Sequence, residues 1–149
     1  KVIGFDMFTS FPKKNLNKFE KISAKKYVKS TNFKGSDLQK LNTLAKQILG
    51  SDRYSLIKGD ITKTAKQYVK KNYGFKISLL HLDLDTYAGT KAALDNFFPL
   101  VSKGGIIILD EYGSRGWGET SAVDNFLKSK NYKIETISYT HSPTAFIKK

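Results

Sequence analysis

The sequence predicts an α/β fold built on an open, mostly parallel sheet, and three observations carry that reading. Residues 79–113, LLHLDLDTYAGTKAALDNFFPLVSKGGIIILDEYG, alternate strand, helix and strand. The first strand, 77–82, is nearly continuous in apolar residues, as a central parallel strand covered on both faces requires. Carboxylates stand just past each strand, Asp83 and Asp85 after the first and Asp110 and Glu111 after the second. That edge is where an open parallel sheet builds its site.

In chain order, residues 2–5 read as an apolar strand closed by Asp6. Residues 15–34 are polar, Lys-rich and weakly periodic, and read as a variable loop or a short helical insertion. A helix follows, with Ser36 as N-cap, Leu38, Leu41, Leu44, Ala45, Ile48 and Leu49 on one face, and Gly50 as the stop. That stripe is expected to pack on the sheet. Residues 54–58 form a short strand ended by Gly59 and Asp60, and a helix begins at Thr62 or Thr64 and stops at Gly74. The helix at 88–100 carries Ala92, Ala93, Phe97 and Leu100 inward, ends at Gly104 and Gly105, and crosses to a strand at 106–109. Residues 119–130 form another helix, and 132–139 with 144–147 close the fold as an antiparallel hairpin around His141, Ser142 and Pro143. His141 reads as a turn residue.

His81, Asp83 and Asp85 share one face if the extended geometry persists. With neighbouring strands about 4.8 Å apart, Asp83, Asp85, Asp110 and Glu111 fall within a few ångströms of one another. Like charges at that range raise one another's pKa unless a cation compensates, and no Lys or Arg stands beside them in sequence. Hard oxygen donors without Cys favour Mg²⁺, Ca²⁺ or Mn²⁺ over Zn²⁺. A structural reading stands alongside: some of these acids cap the following helix, with Asp85 or Thr86 as N-cap, or face solvent. Asp6 ends its strand where an acid can accept hydrogen bonds from both hydroxyls of a cofactor ribose.

These residues resemble the macrocin O-methyltransferase (TylF) family of class I S-adenosylmethionine-dependent methyltransferases. His81, Asp83, Asp85, Tyr87, Pro99, Gly104, Gly105, Asp110 and Tyr112 follow the family's order, in which HxDxDxY precedes a helix, a GG turn and a strand ending in DDY. KVIGFDMFTSFP and LIKGDITKT resemble the family's second and third strands, so the likeness spans most of the chain. The resemblance implies a Rossmann-like methyltransferase sheet with an antiparallel C-terminal hairpin. It implies S-adenosylmethionine as methyl donor, a divalent metal such as Mg²⁺ on Asp83, Asp110 and Glu111, and a sugar or related hydroxylated small molecule as acceptor. Asp85 would be the general base, His81 a support for Asp83, and Asp60 a contact near the adenine, although Gly-Asp is also common turn chemistry.

Two departures matter. Glu111 stands where the family usually has a second Asp, one methylene longer. The first strand and glycine-rich loop, which hold the methionine part of the cofactor in this fold, have no counterpart here. The expectation is a natural protein that extends upstream; failing that, the exposed strand edges would pair with each other or with a second copy of the chain.

At 149 residues and 40% hydrophobic content, the chain suits one methyltransferase domain. Zero cysteines excludes a disulfide framework and thiolate metal sites, and agrees with a cytoplasmic location. No apolar run is long enough to cross a membrane. The net charge of +13 lies wholly in residues 1–76, which carry 18 Lys and Arg against 5 acids, while residues 77–149 carry 8 of each. Only Arg53 and Arg115 are Arg, which weighs against specific nucleic-acid recognition. The GSRGWGET loop after Tyr112 reads either as a lid with Trp117 as a stacking surface or as a loop that Trp117 anchors. A nucleotide- or NAD-binding domain and a non-catalytic basic module are the rival functions; hydride transfer has no need of the Asp110–Glu111 pair.

Overall fold

The computed structural model describes residues 1–138 and 142–149, so His141 and its neighbours lie outside the described residues. Strands β1 (Val2–Asp6) and β2 (Tyr54–Lys58) pair in parallel, from Val2 opposite Tyr54 to Asp6 opposite Lys58. Strand β3 (Ile77–Leu82) pairs in parallel with β4 (Val101–Leu109). Strands β5 (Ile134–Thr136) and β6 (Ala145–Lys148) add antiparallel to β4, giving the order β3-β4-β6-β5. The mixed α/β architecture with its antiparallel ending follows the sequence reading.

The sheet is in two pieces. Among the described residues no ladder joins β1 to β3, so of the two pairings open to these edges in the absence of an upstream strand, the direct one does not occur. Phe5 of β1 instead bridges to the helical layer. Its ring meets Tyr68 of α3 (Ile61–Lys71) at 5.2 Å and Phe97 of α4 (Tyr87–Phe97) at 5.0 Å. As an edge strand, β3 is not covered on both faces: Leu80 and Leu82 are buried, but Leu79 is 57% exposed.

The core lies between the four-stranded sheet and helices α4 and α5 (Glu119–Leu127). Leu82, Leu94, Ile107, Leu109, Val123 and Ile147 are its largest fully buried members. Truncating any of the Leu or Ile residues to Ala costs about 2–5 kcal/mol. No helix among the described residues is long and apolar enough to cross a membrane.

Several element boundaries differ from expectation for local reasons. Residues 15–34 contain a full helix, α1 (Lys18–Thr31), because Asn17 and Glu20 form a reciprocal capping box. The N-cap of α2 (Leu38–Leu49) is Asp37, not Ser36, since its Oδ1 reaches the amides of Gln39 and Lys40. The stripe of α2 does not pack on a sheet face: Leu41, Leu44 and Ile48 are 38%, 50% and 69% exposed. Helix α3 begins at Ile61 rather than at Thr62 or Thr64, because Asp60 caps it. Gly104 and Gly105 do not stop α4, which ends in a 3₁₀ turn at Phe98–Leu100; they lie inside β4, which begins five residues earlier than its apolar run.

Candidate active site

The carboxyl ends of β3 and β4 open onto a cavity of about 470 Å³ lined in part by Asp6, Asp83, Asp85, Asp110, Glu111 and Trp117. One register places the two acid pairs together: Leu82 lies opposite Leu109, and the Asp110 amide donates to Leu82 O at 3.0 Å. The four acids that the sequence grouped therefore share one chamber, with Asp6 arriving from the end of β1. Asp60 does not line it. Its Oδ1 accepts from the amide and hydroxyl of Thr62 at 2.9 and 2.7 Å, beside a smaller pocket lined by Met7, Ile61 and Leu84.

Asp85 breaks the strand alternation. It sits at φ 55°, a left-handed conformation uncommon for a residue other than glycine. The N-terminus of α5 holds it there, because the amides of Gly118 and Glu119 both donate to Asp85 O, at 2.7 and 3.1 Å. Thr86, next in sequence, caps α4 by accepting from the Gly89 amide, so the N-cap role falls to Thr86 and leaves the Asp85 carboxyl to the cavity.

Burial and the neighbouring acids set the electrostatics. Burial, then repulsion from Asp83, Glu111 and Asp110, pushes the Asp85 carboxyl up to about 7. Asp83 is raised by burial and by Asp110, an effect partly offset by His81. Among the described residues no Lys or Arg pairs with any of the four acids. His81 does not support Asp83 by hydrogen bond; its Nε2 lies 3.3 Å from Asp110 Oδ1, and its side chain is half exposed rather than in the core. The second Asp110 oxygen accepts from Ser142 Oγ.

The acids suit a divalent ion in their donor chemistry, being hard oxygens clustered without a compensating cation. Their placement is less complete. Among the described residues no three His, Asp or Glu side chains converge closely enough to hold an ion, and both Asp110 oxygens are engaged elsewhere.

Sequence reasoning missed two residues that build the site. Glu119 is fully buried beneath the acids, and its Oε1 accepts the Glu111 amide at 3.0 Å. Burial pushes its carboxyl up to about 8, against the Glu111 amide and with help from Asp85, Asp110 and Asp83. Glu20, also buried, accepts from the amides of Asn17 at 2.7 Å and Tyr87 at 2.6 Å, fastening α1 to the start of α4. The available signals were an acid in the first turn of each helix, which is common enough to pass as dipole chemistry.

Trp117 stacks on Phe11, with ring centres 5.2 Å apart and planes inclined by 25°. This contact ties the 113–118 loop to the segment after β1.

The family profile described as Macrocin-O-methyltransferase (TylF) matches residues 1–146. A crystal structure of the calicheamicin methyltransferase CalS11 superposes with a TM-score of 0.74 at 25% identity, over 99% of this chain and 60% of that one. The O-methyltransferase NovP gives 0.79 at 18% identity, over 100% and 59%. The SAH-bound Podospora anserina methyltransferase PaMTH1 gives 0.53 at 16% identity, over 99% and 70%. The chain spans about three-fifths of the length of CalS11 and NovP. No curated protein sequence matches it.

Proposed function

The chain belongs to the macrocin O-methyltransferase family, and from that membership we propose that it transfers a methyl group from S-adenosylmethionine to a hydroxyl of a sugar or related small molecule. The observation that carries the chemistry is Asp85: a carboxyl pushed to about 7, held by its own backbone at the mouth of the cavity that Asp6 also lines.

Methyl transfer to oxygen is an in-line displacement at a sulfonium methyl, and an alcohol is a poor nucleophile until its proton leaves. Asp85 takes that proton at its carboxylate as the oxygen–methyl bond forms and the sulfur–methyl bond breaks, releasing neutral S-adenosylhomocysteine. A base near 7 is matched to neutral conditions, since it is substantially ionised yet still accepts a proton. Asp6 orients the donor by accepting from its ribose hydroxyls, and alignment of donor and acceptor supplies much of the remaining acceleration.

Asp83, Asp110 and Glu111 would hold a divalent ion, which when bound supplies Lewis acidity that lowers the pKa of an acceptor hydroxyl. For Asp110 to serve, its oxygens must leave His81 and Ser142. The hard-oxygen donor set supports Mg²⁺ or Mn²⁺ over Zn²⁺.

The test is a melting-temperature series with S-adenosylhomocysteine and Mg²⁺, alone and together, alongside methyl transfer from labelled S-adenosylmethionine to a panel of glycosides. The two ligands together should stabilise more than either alone, and label should pass to a glycoside. Stabilisation by NAD instead, with no transfer and no effect of Asp83→Ala, sinks the reading.

A further inference from the structure

Four aromatic rings from three separate segments meet at the wall of the acid-lined cavity. Phe11 stacks on Trp117 and meets Tyr27 and Phe33 with ring centres 5.8 Å away in each case, while Tyr27 and Phe33 are 5.7 Å apart. All four line the same cavity as Asp85 and Glu111. Resting on the methyltransferase reading for the word acceptor, we propose that this wall is a stacking subsite for a planar aromatic ring carried by the sugar-bearing acceptor.

The cluster differs from the protein's core aromatics. Phe97 and Phe98 are each 4% exposed, whereas none of the four wall rings is buried and Tyr27 is 44% exposed. A cluster needed only to pin the loop would close over its faces; this one leaves aromatic surface on a cavity. The near-parallel Phe11–Trp117 pair forms a short stack onto which a further ring can be added in the offset geometry that aromatic quadrupoles favour. The indole N–H of Trp117 and the hydroxyl of Tyr27 have no hydrogen-bond partner among the described residues.

Position links the wall to the chemistry. Gly118, the residue after Trp117, donates to Asp85 O at 2.7 Å. Trp117 and Asp85 also line the same cavity, so a sugar attached to a ring on Trp117 enters the chamber that holds the proposed base. The ring could belong to an aryl aglycone or to the base of a nucleotide-linked sugar; both offer the same planar π-face.

Trp117 is the single Trp of the chain, so its fluorescence reads the wall directly. The protein is titrated with phenyl glucoside, uridine diphosphate glucose and methyl glucoside, and S-adenosylhomocysteine affinity is measured by calorimetry. At least one ring-bearing ligand should perturb Trp117 saturably and bind about tenfold more tightly than methyl glucoside, and the one that does so identifies the source of the ring. Phe11→Leu should cost that ligand about tenfold while leaving S-adenosylhomocysteine within twofold. Equal binding of phenyl, nucleotide and methyl sugars overturns the proposal, and so does a Phe11→Leu variant that loses S-adenosylhomocysteine as strongly as the ring ligand. If Phe11→Leu does not fold, the comparison of the three sugars on the unaltered protein decides alone. Ring ligands that bind as stated without any methyl transfer would remove the methyltransferase reading and leave the subsite standing.

Discussion

Glu119 Oε1 accepts the backbone N–H of Glu111 at 3.0 Å, from a side chain with no exposed surface. The same residue's amide donates to Asp85 O, so one position at the start of α5 fastens both acid-bearing loops.

That burial makes stability fall with rising pH. The Glu119 carboxyl titrates from an ordinary value near 4.5 in the unfolded chain and from about 8 when folded. Between those values the folded state binds the extra proton, so stability is greatest below about 4.5 and is lost as pH rises through 8. Asp85, raised by burial and the same neighbours, acts with the same sign up to about 7. Glu119→Gln keeps an oxygen for the Glu111 amide and never ionises. In chelator-treated buffer it should melt several degrees above the unaltered protein at pH 8.5 and no higher at pH 5; parallel melting curves across that range would refute this account.

Gly118 allows a close approach that no side chain can share. A Cβ there would overlap the Glu20 carboxylate and the Tyr87 amide, both fixed by the hydrogen bond between them. Gly118→Ala should destabilise by about 1–3 kcal/mol, the range of overpacking in a well-packed site. It should also slow methyl transfer, because the Gly118 amide holds Asp85. Denaturant unfolding checks the first effect. A variant as stable as the parent would mean that α1 does not dock as described.

The contrast between what was and was not legible follows from how far each feature depends on its neighbours. Strands β2 and β3 were bounded from their apolar runs, and the meeting of Asp83, Asp85, Asp110 and Glu111 followed from the rule that parallel strands end on one edge. Helix α1 was not foreseen as a full helix because its polar, Lys-rich face gives almost no periodicity, and its anchor is a single buried Glu20. The exposure of Leu44 and Ile48 was equally hidden: amphipathic spacing says which residues share a face, not whether anything lies against it. His81 missed Asp83 and met Asp110 because the register of β3 against β4 sets that choice.

Asp85→Asn removes the proposed proton acceptor with little change in shape. Its kcat should fall by about 10²–10⁴, the span of general-base catalysis, with S-adenosylhomocysteine affinity unchanged. The proposed activity of the unaltered protein should fall as pH drops through about 7, where Asp85 becomes protonated, and the residual activity of the variant should lack that limb. An Asn variant within threefold of the parent would assign proton removal elsewhere.

Variants of Asp6 and Asp60 should separate the proposed cofactor contact from helix capping. Asp6 Oδ1 accepts from the Phe8 amide at 2.6 Å, which orients the carboxylate at the end of β1 on the cavity and leaves Oδ2 for a ribose hydroxyl. Hydrogen bonds to a charged group contribute about 1.5–3 kcal/mol, so Asp6→Ala should weaken S-adenosylhomocysteine about 10- to 100-fold, read by calorimetry. Asp60 spends its Oδ1 on Thr62. Asp60→Ala should therefore cost about 0.5–2 kcal/mol of stability through the lost cap while leaving that affinity within threefold. Should Asp60→Ala instead match Asp6→Ala in affinity, Asp60 contacts the cofactor as well, and capping is the lesser of its two roles.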